Sequence, residues 1–192
     1  MSAPATRVDG DIITAAIWTS DVANGPVRCY FQSTADSAAV TATGDQPYSI
    51  AFTPVTSALF NVVGRRIRVH AFGVHTTGAN AGTVGLKVRI GGTVVIAAYG
   101  TSYNINTTNF GWELDASLVV RTTGASATLA RTIKTFTDFD LVSVREGADL
   151  FIPSTLSAAV DLTGTPVVEV AVNFSASGNS STMKSMAVFV EN

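Results

Sequence analysis

Residues 64–75 read GRRIRVHAFGVH. This stretch holds both histidines of the chain and three of its twelve Lys and Arg residues. Ile67, Val69, Ala71 and Gly73 fall on one side of an extended chain. Arg66, Arg68 and His70 fall on the other, followed by Phe72 and Val74. Successive side chains of a strand point to opposite faces of its sheet, so the alternation predicts a strand with one dry and one wet face. The charged side reads as a solvated or carboxylate-paired face, or as a charged subunit interface, since Arg grips carboxylates with two parallel hydrogen bonds. His70 and His75 are an odd number of residues apart and face opposite ways. They cannot share a metal unless the strand bulges at Gly73.

The same period of two recurs along the chain. Leu86, Val88 and Ile90 alternate with Lys87 and Arg89. Trp112, Leu114, Ala116, Leu118 and Val120 alternate with Glu113, Asp115, Ser117, Val119 and Arg121. Val168, Val170, Val172 and Phe174 alternate with Val167, Glu169, Ala171 and Asn173, and Met186, Val188 and Val190 oppose Ser185, Ala187 and Phe189. Gly-rich turn signals separate these runs, among them TTGA at 76–79 and again at 122–125, read as recurring turn chemistry rather than a repeat. Gly91 and Gly92 in RIGGTV mark a two-residue hairpin. Long helical periodicity is missing, and no strand–helix alternation suggests an α/β fold. The expectation is an all-β, antiparallel sandwich or barrel of about eight to ten strands. Residues 26–192 read as one domain, with 1–25, polar and bearing Pro4, as an extended N-terminal arm.

Composition narrows the function. Charged residues make up 14% of the chain, against about 25% in ordinary soluble domains, and the net charge is −2. Such a balance gives no field to attract nucleic acid or anionic lipid. Apolar residues make up 46%, so the polar surface is mostly Thr, Ser, Asn and Gly. That surface suits a protein covered by neighbouring chains better than one living alone. A chain of 192 residues buries roughly 70% of its unfolded surface and needs no staples. Cys29 is the single cysteine, which rules out an internal disulfide; it reads as a small buried apolar group. No apolar stretch is long enough for a membrane helix, and the first residues lack the cationic start and apolar centre of a secretory signal. The protein is expected to be made in the cytoplasm.

Catalytic motifs are absent: no serine elbow, P-loop, dinucleotide fingerprint or zinc-protease helix occurs. Asp138 with Asp140, and Glu146 with Asp149, are the paired carboxylates a glycosidase would need, yet they also suit ordinary strand and loop surface. Asp9 and Asp11 lack the other ligands of a calcium loop. No cofactor, metal or enzymatic activity is expected. Trp18, Trp112, Tyr99, Tyr103 and Phe110 are candidates for a sugar-stacking platform. Trp112 shares an apolar face with Leu114 and reads as core, while Tyr99 and Tyr103 flank a polar loop and are the candidate glycan contacts.

FNVVGRRIRVHAFGVHTTGANAGTVGLKVRIGGTVV, followed by FGWELDASLVVRTTGASATL, resembles the β-sandwich virion proteins of tailed bacteriophages. The shared features are the strand NVVGRRIRV, its Thr/Gly turn, the LKVRIGG hairpin and the WELDA strand running to RTTG. The resemblance covers roughly residues 59–190 and leaves out 1–58. It implies a jelly-roll-like sandwich, a homotrimer on the virion, serving as capsid cement or decoration, or as a fibre or spike. The short chain without a shaft favours a cement protein on the outer capsid surface, with the major capsid protein as partner. The implied contacts are the wet faces Arg66, Arg68, His70, Lys87 and Arg89, together with the arm residues Ile12, Ile13 and Trp18. A carbohydrate-binding host-adhesion module is the alternative from another class.

Overall fold

The computed structural model describes residues 27–56, 59–137 and 152–191, with the backbone alone at 27–28, 99–101, 136–137 and 152–156. Ten strands follow one another in it: β1 (Val27–Gln32), β2 (Gly44–Phe52), β3 (Arg66–Thr76), β4 (Thr83–Ile90), β5 (Thr93–Ser102), β6 (Phe110–Val120), β7 (Leu129–Thr137), β8 (Ile152–Leu156), β9 (Val168–Phe174) and β10 (Ser180–Glu191). No helix occurs among the described residues. The expected N-terminal arm, with Ile12, Ile13 and Trp18, lies outside the described residues. So do Asp9, Asp11, Asp138, Asp140, Glu146 and Asp149.

The strands form two antiparallel sheets. One has six strands in the order β1-β10-β3-β6-β7-β8, the other four in the order β2-β9-β4-β5. β4 pairs with β5, β3 with β6, β2 with β9 and β1 with β10. This is one long hairpin rolled up so that its successive pairs fall alternately in the two sheets. That roll is the jelly-roll form of the β-sandwich. β7 and β8 are an addition that widens the larger sheet beyond β6.

Alternation supplies the core. Ile67, Val69, Ala71, Leu114, Ala116, Leu118, Val88, Ile90, Val170 and Val172 are wholly or almost wholly buried between the sheets. Each large aliphatic side chain taken from water contributes about 1.5–3 kcal/mol to stability. The β4–β5 turn is closed by Gly91 and Gly92, both at positive φ (57° and 80°), the backbone of a tight hairpin matched to strand twist. Arg89 tightens it further, its guanidinium donating to the Gly92 carbonyl at 3.1 and 3.2 Å. The β4–β5 register skips Val95, leaving a bulge there, and Arg131 on β7 donates to the Val95 carbonyl at 2.6 Å.

At Gly73 the strand is hemmed in by both of its neighbours in the six-stranded sheet. A Cβ there would lie 2.2 Å from the Thr182 carbonyl oxygen and 2.7 Å from the Trp112 ring, so only glycine fits. The pairing irregularity at this level falls on β10, between Met183 and Ser185, and β3 itself keeps an unbroken register with β6. His70 and His75 therefore do stay on opposite faces.

Two expectations need correction. Cys29 is exposed, not buried. β1 is an edge strand with a register shift between Cys29 and Phe31, and it turns Tyr30 and Phe31 toward the core instead. Lys87 does not stand on a wet face. It is buried at 8% exposure beside its register partner Ala171, and its ammonium reaches Asp45 Oδ2 at 2.8 Å. The small Ala171 leaves room for the aliphatic stem to lie over the sheet before the charge meets its carboxylate.

Candidate functional site

The outer face of the six-stranded sheet gathers three of the five basic residues singled out from the sequence. β3 places Arg66, Arg68, His70 and Phe72 there by alternation. β10 and β6, its neighbours on either side, bring carboxylates. Arg66 Nη1 is 3.1 Å from Glu191 Oε2. Arg68 makes a two-pronged pair with Asp115, with Nε donating to Oδ1 at 2.9 Å and Nη2 to Oδ2. That carboxylate holds the Arg68 guanidinium still more firmly in its charged form. His70 Nε2 is 2.9 Å from Glu113 Oε1. A shallow depression lies on this face, with Arg66, Arg68, Lys134, Asp115 and Glu191 around Ser117 and Thr132. Of the two readings left open for Arg66, Arg68 and His70, the carboxylate-paired face is the one found within the chain.

On the four-stranded sheet, Arg89 lies 3.8 Å from Glu169 Oε2 and Lys87 pairs with Asp45. The sequence placed all five basic residues on strand faces but had no means of finding their partners. Glu191, Asp115, Glu113, Asp45 and Glu169 sit on other strands, brought alongside by the roll. These cations answer charges of their own chain, so an outside carboxylate must compete with an existing partner.

Tyr103 is also placed differently from expectation. It is 6% exposed, and its hydroxyl accepts a 2.6 Å hydrogen bond from Asn179 Nδ2. Asn179 Oδ1 accepts from the Gly78 amide at 3.0 Å, and the 77–82, 103–109 and 175–179 loops are thereby stitched together. A ring so covered presents no stacking face to a sugar, which corrects its reading as a glycan contact. Tyr99 is in β5, and its side chain is outside the described residues. Trp112 and Phe110 are buried in the core.

The sequence reading passed over three valines in the loop between β2 and β3. Val55, Val62 and Val63 are exposed there, Val55 at 86%. This is the end at which β1 begins and β10 finishes, since Val27 is paired with Glu191 and Glu191 with Arg66. The signal was present in NVVG, two adjacent valines before a glycine turn outside any alternating run. Among the described residues no group of three or more His, Cys, Asp or Glu is arranged to hold a metal ion. No described helix is long and apolar enough to cross a membrane.

Neither a family model nor a curated protein sequence matches the chain. Among solved structures it is similar to the legume lectin-like domain from Entamoeba histolytica. The identity is 7% over 79% of this chain and 82% of that one, with a TM-score of 0.27. It is also similar to a chain in the structure of infectious bursal disease virus, Gt strain. There the identity is 18% over 98% of this chain and 46% of that one, with a TM-score of 0.28. This chain thus spans less than half the length of the viral chain. Likenesses at these TM-scores carry no argument about activity.

Proposed function

We propose that this chain is a structural protein of a virus particle, a cement or decoration homotrimer on the outside of a phage head that bridges major capsid subunits. The observation that carries this reading is the rolled-hairpin strand order, an architecture used by viral capsid and lectin domains. The sparse charge of the chain supports it, because a surface of Thr, Ser, Asn and Gly is suited to being covered.

The mechanism is linkage. A trimer bound across a junction of shell subunits has affinity for the assembled shell and none for separated subunits, so it stabilises the shell by mass action. Three linked copies raise the effective concentration of each contact after the first. The valine-bearing end is the contact surface this reading favours. Val55, Val62 and Val63 have no internal charge to give up, whereas Arg66, Arg68 and His70 must exchange one carboxylate for another.

Sedimentation of the purified protein should give a trimer at micromolar concentration, and purified shells should bind it. Val62→Asp combined with Val63→Asp should lower shell occupancy at least tenfold without changing the fold. A monomer that ignores shells would overturn the proposal. Lectin domains share this strand order, so the second reading is a carbohydrate-binding host-adhesion module. A specific hit on a glycan array, with no shell binding, would put it first.

A further inference from the structure

His75 is not used by the proposed docking role. It sits near the end of β3, is fully buried, and is enclosed by three aromatic rings. Phe110 and Trp112 of β6 lie 5.2 and 5.7 Å from it, centroid to centroid, and Phe174 of β9 lies at 5.7 Å. Among the described residues neither ring nitrogen of His75 has a hydrogen-bond partner, and the same holds for the Trp112 indole nitrogen beside it. Buried polar atoms are paired in the great majority of cases, so orphans in one cluster call for an explanation.

The surroundings offer a proton no stabilisation. β10 places Ser181 opposite His75. Tyr48 of β2 stacks on Trp112, and its hydroxyl is bonded to Ser181; burial holds that phenol in its neutral form well above the usual range. Tyr103 is engaged by Asn179 in the loops above. The charged residues on β2, β6, β9 and β10 are Asp45, Glu113, Asp115, Glu169, Lys184 and Glu191, and all of them are engaged in ion pairs. No carboxylate among the described residues is turned toward the imidazole.

We propose that His75 is an acid-sensitive latch: the folded sandwich holds it neutral in an aromatic cage, and protonation opens the end of the core beneath the loops at 77–82, 103–109 and 175–179. Burial drives the imidazole down from its ordinary 6.5 to about 3 in the folded protein. Above pH 6.5 neither folded nor unfolded chain carries this proton, and the contribution of His75 to stability is complete. As pH falls below 6.5 the unfolded chain takes up the proton and the folded chain does not. The unfolding equilibrium constant then rises roughly tenfold per pH unit until about pH 3.

The test is urea unfolding followed by tryptophan fluorescence and circular dichroism between pH 7.5 and 5, for the full chain and for His75→Phe. Phe suits the apolar cage and cannot titrate. The wild type should lose at least tenfold in folding equilibrium over that range relative to His75→Phe, and His70→Gln should keep the loss. Parallel pH profiles for wild type and His75→Phe would overturn the proposal. Should His75→Phe fail to fold, imidazole NMR of the wild type decides. A His75 ring that is still neutral at pH 5 supports the latch, and one that titrates near 6.5 in the folded protein sinks it.

Discussion

His70 and His75 stand on the two faces of β3. His70 is half-buried on the outer face, with Glu113 within hydrogen-bond reach. His75 is sealed among Phe110, Trp112 and Phe174, with no hydrogen-bond partner among the described residues. The difference extends to the whole strand. The outer face is held by ion pairs that leave their members partly in water: the side chains of Arg68 and Asp115 are 47% and 30% exposed. The inner face is held by close packing, with Ile67, Val69, Ala71 and Leu114 at 0% exposure. Removing a group from the inner face leaves a void or a strained contact, whereas solvent fills in for a group lost from the outer face.

That contrast can be broken in order of expected effect. Leu114→Ala, on the inner face of β6, should cost about 3–4 kcal/mol of unfolding free energy by urea titration, from lost burial and the cavity left behind. A cost under about 1 kcal/mol would mean that the two sheets are not packed as described. Asp45→Ala is the intermediate case, because it takes the Asp45 carboxylate away from the buried Lys87 ammonium. About 1–3 kcal/mol should be lost, with Lys87→Met recovering part of it in the double variant. If Lys87→Met alone were as damaging as Asp45→Ala, the pair would matter for its attraction and not for the desolvation of the lysine. Arg68→Gln should cost the least, below about 1 kcal/mol, and that small loss should shrink further in high salt. A cost equal to that of Leu114→Ala would show that charge, not packing, holds this face together.

Much of this arrangement could be read from the residues. The alternation in RIRVHAFGVH and WELDASLVV placed β3 and β6 and sorted their two faces, and the GG pair placed the β4–β5 hairpin. These are local properties, decided by where consecutive side chains must point. The errors share one cause. Lys87 looked wet because its own strand alternates, but its environment is set by Ala171 on β9 and Asp45 on β2. Tyr103 looked available because it flanks a polar loop, but Asn179, far along the chain, covers it. Cys29 looked buried because it sits in an apolar run, but the run forms an edge strand with a register shift.

By itself the sequence determined that this protein is made of strands, which side of β3 and β6 faces inward, and that its surface carries little charge, because two-residue periodicity and composition belong to the chain before it folds. The tertiary structure alone decided which strands lie side by side. With that it settled which carboxylate meets each arginine, why the valines before β3 remain outside, and why His75 is caged while His70 is not. Those outcomes depend on contacts between residues distant in sequence, and burial and pairing energies are set by such neighbours.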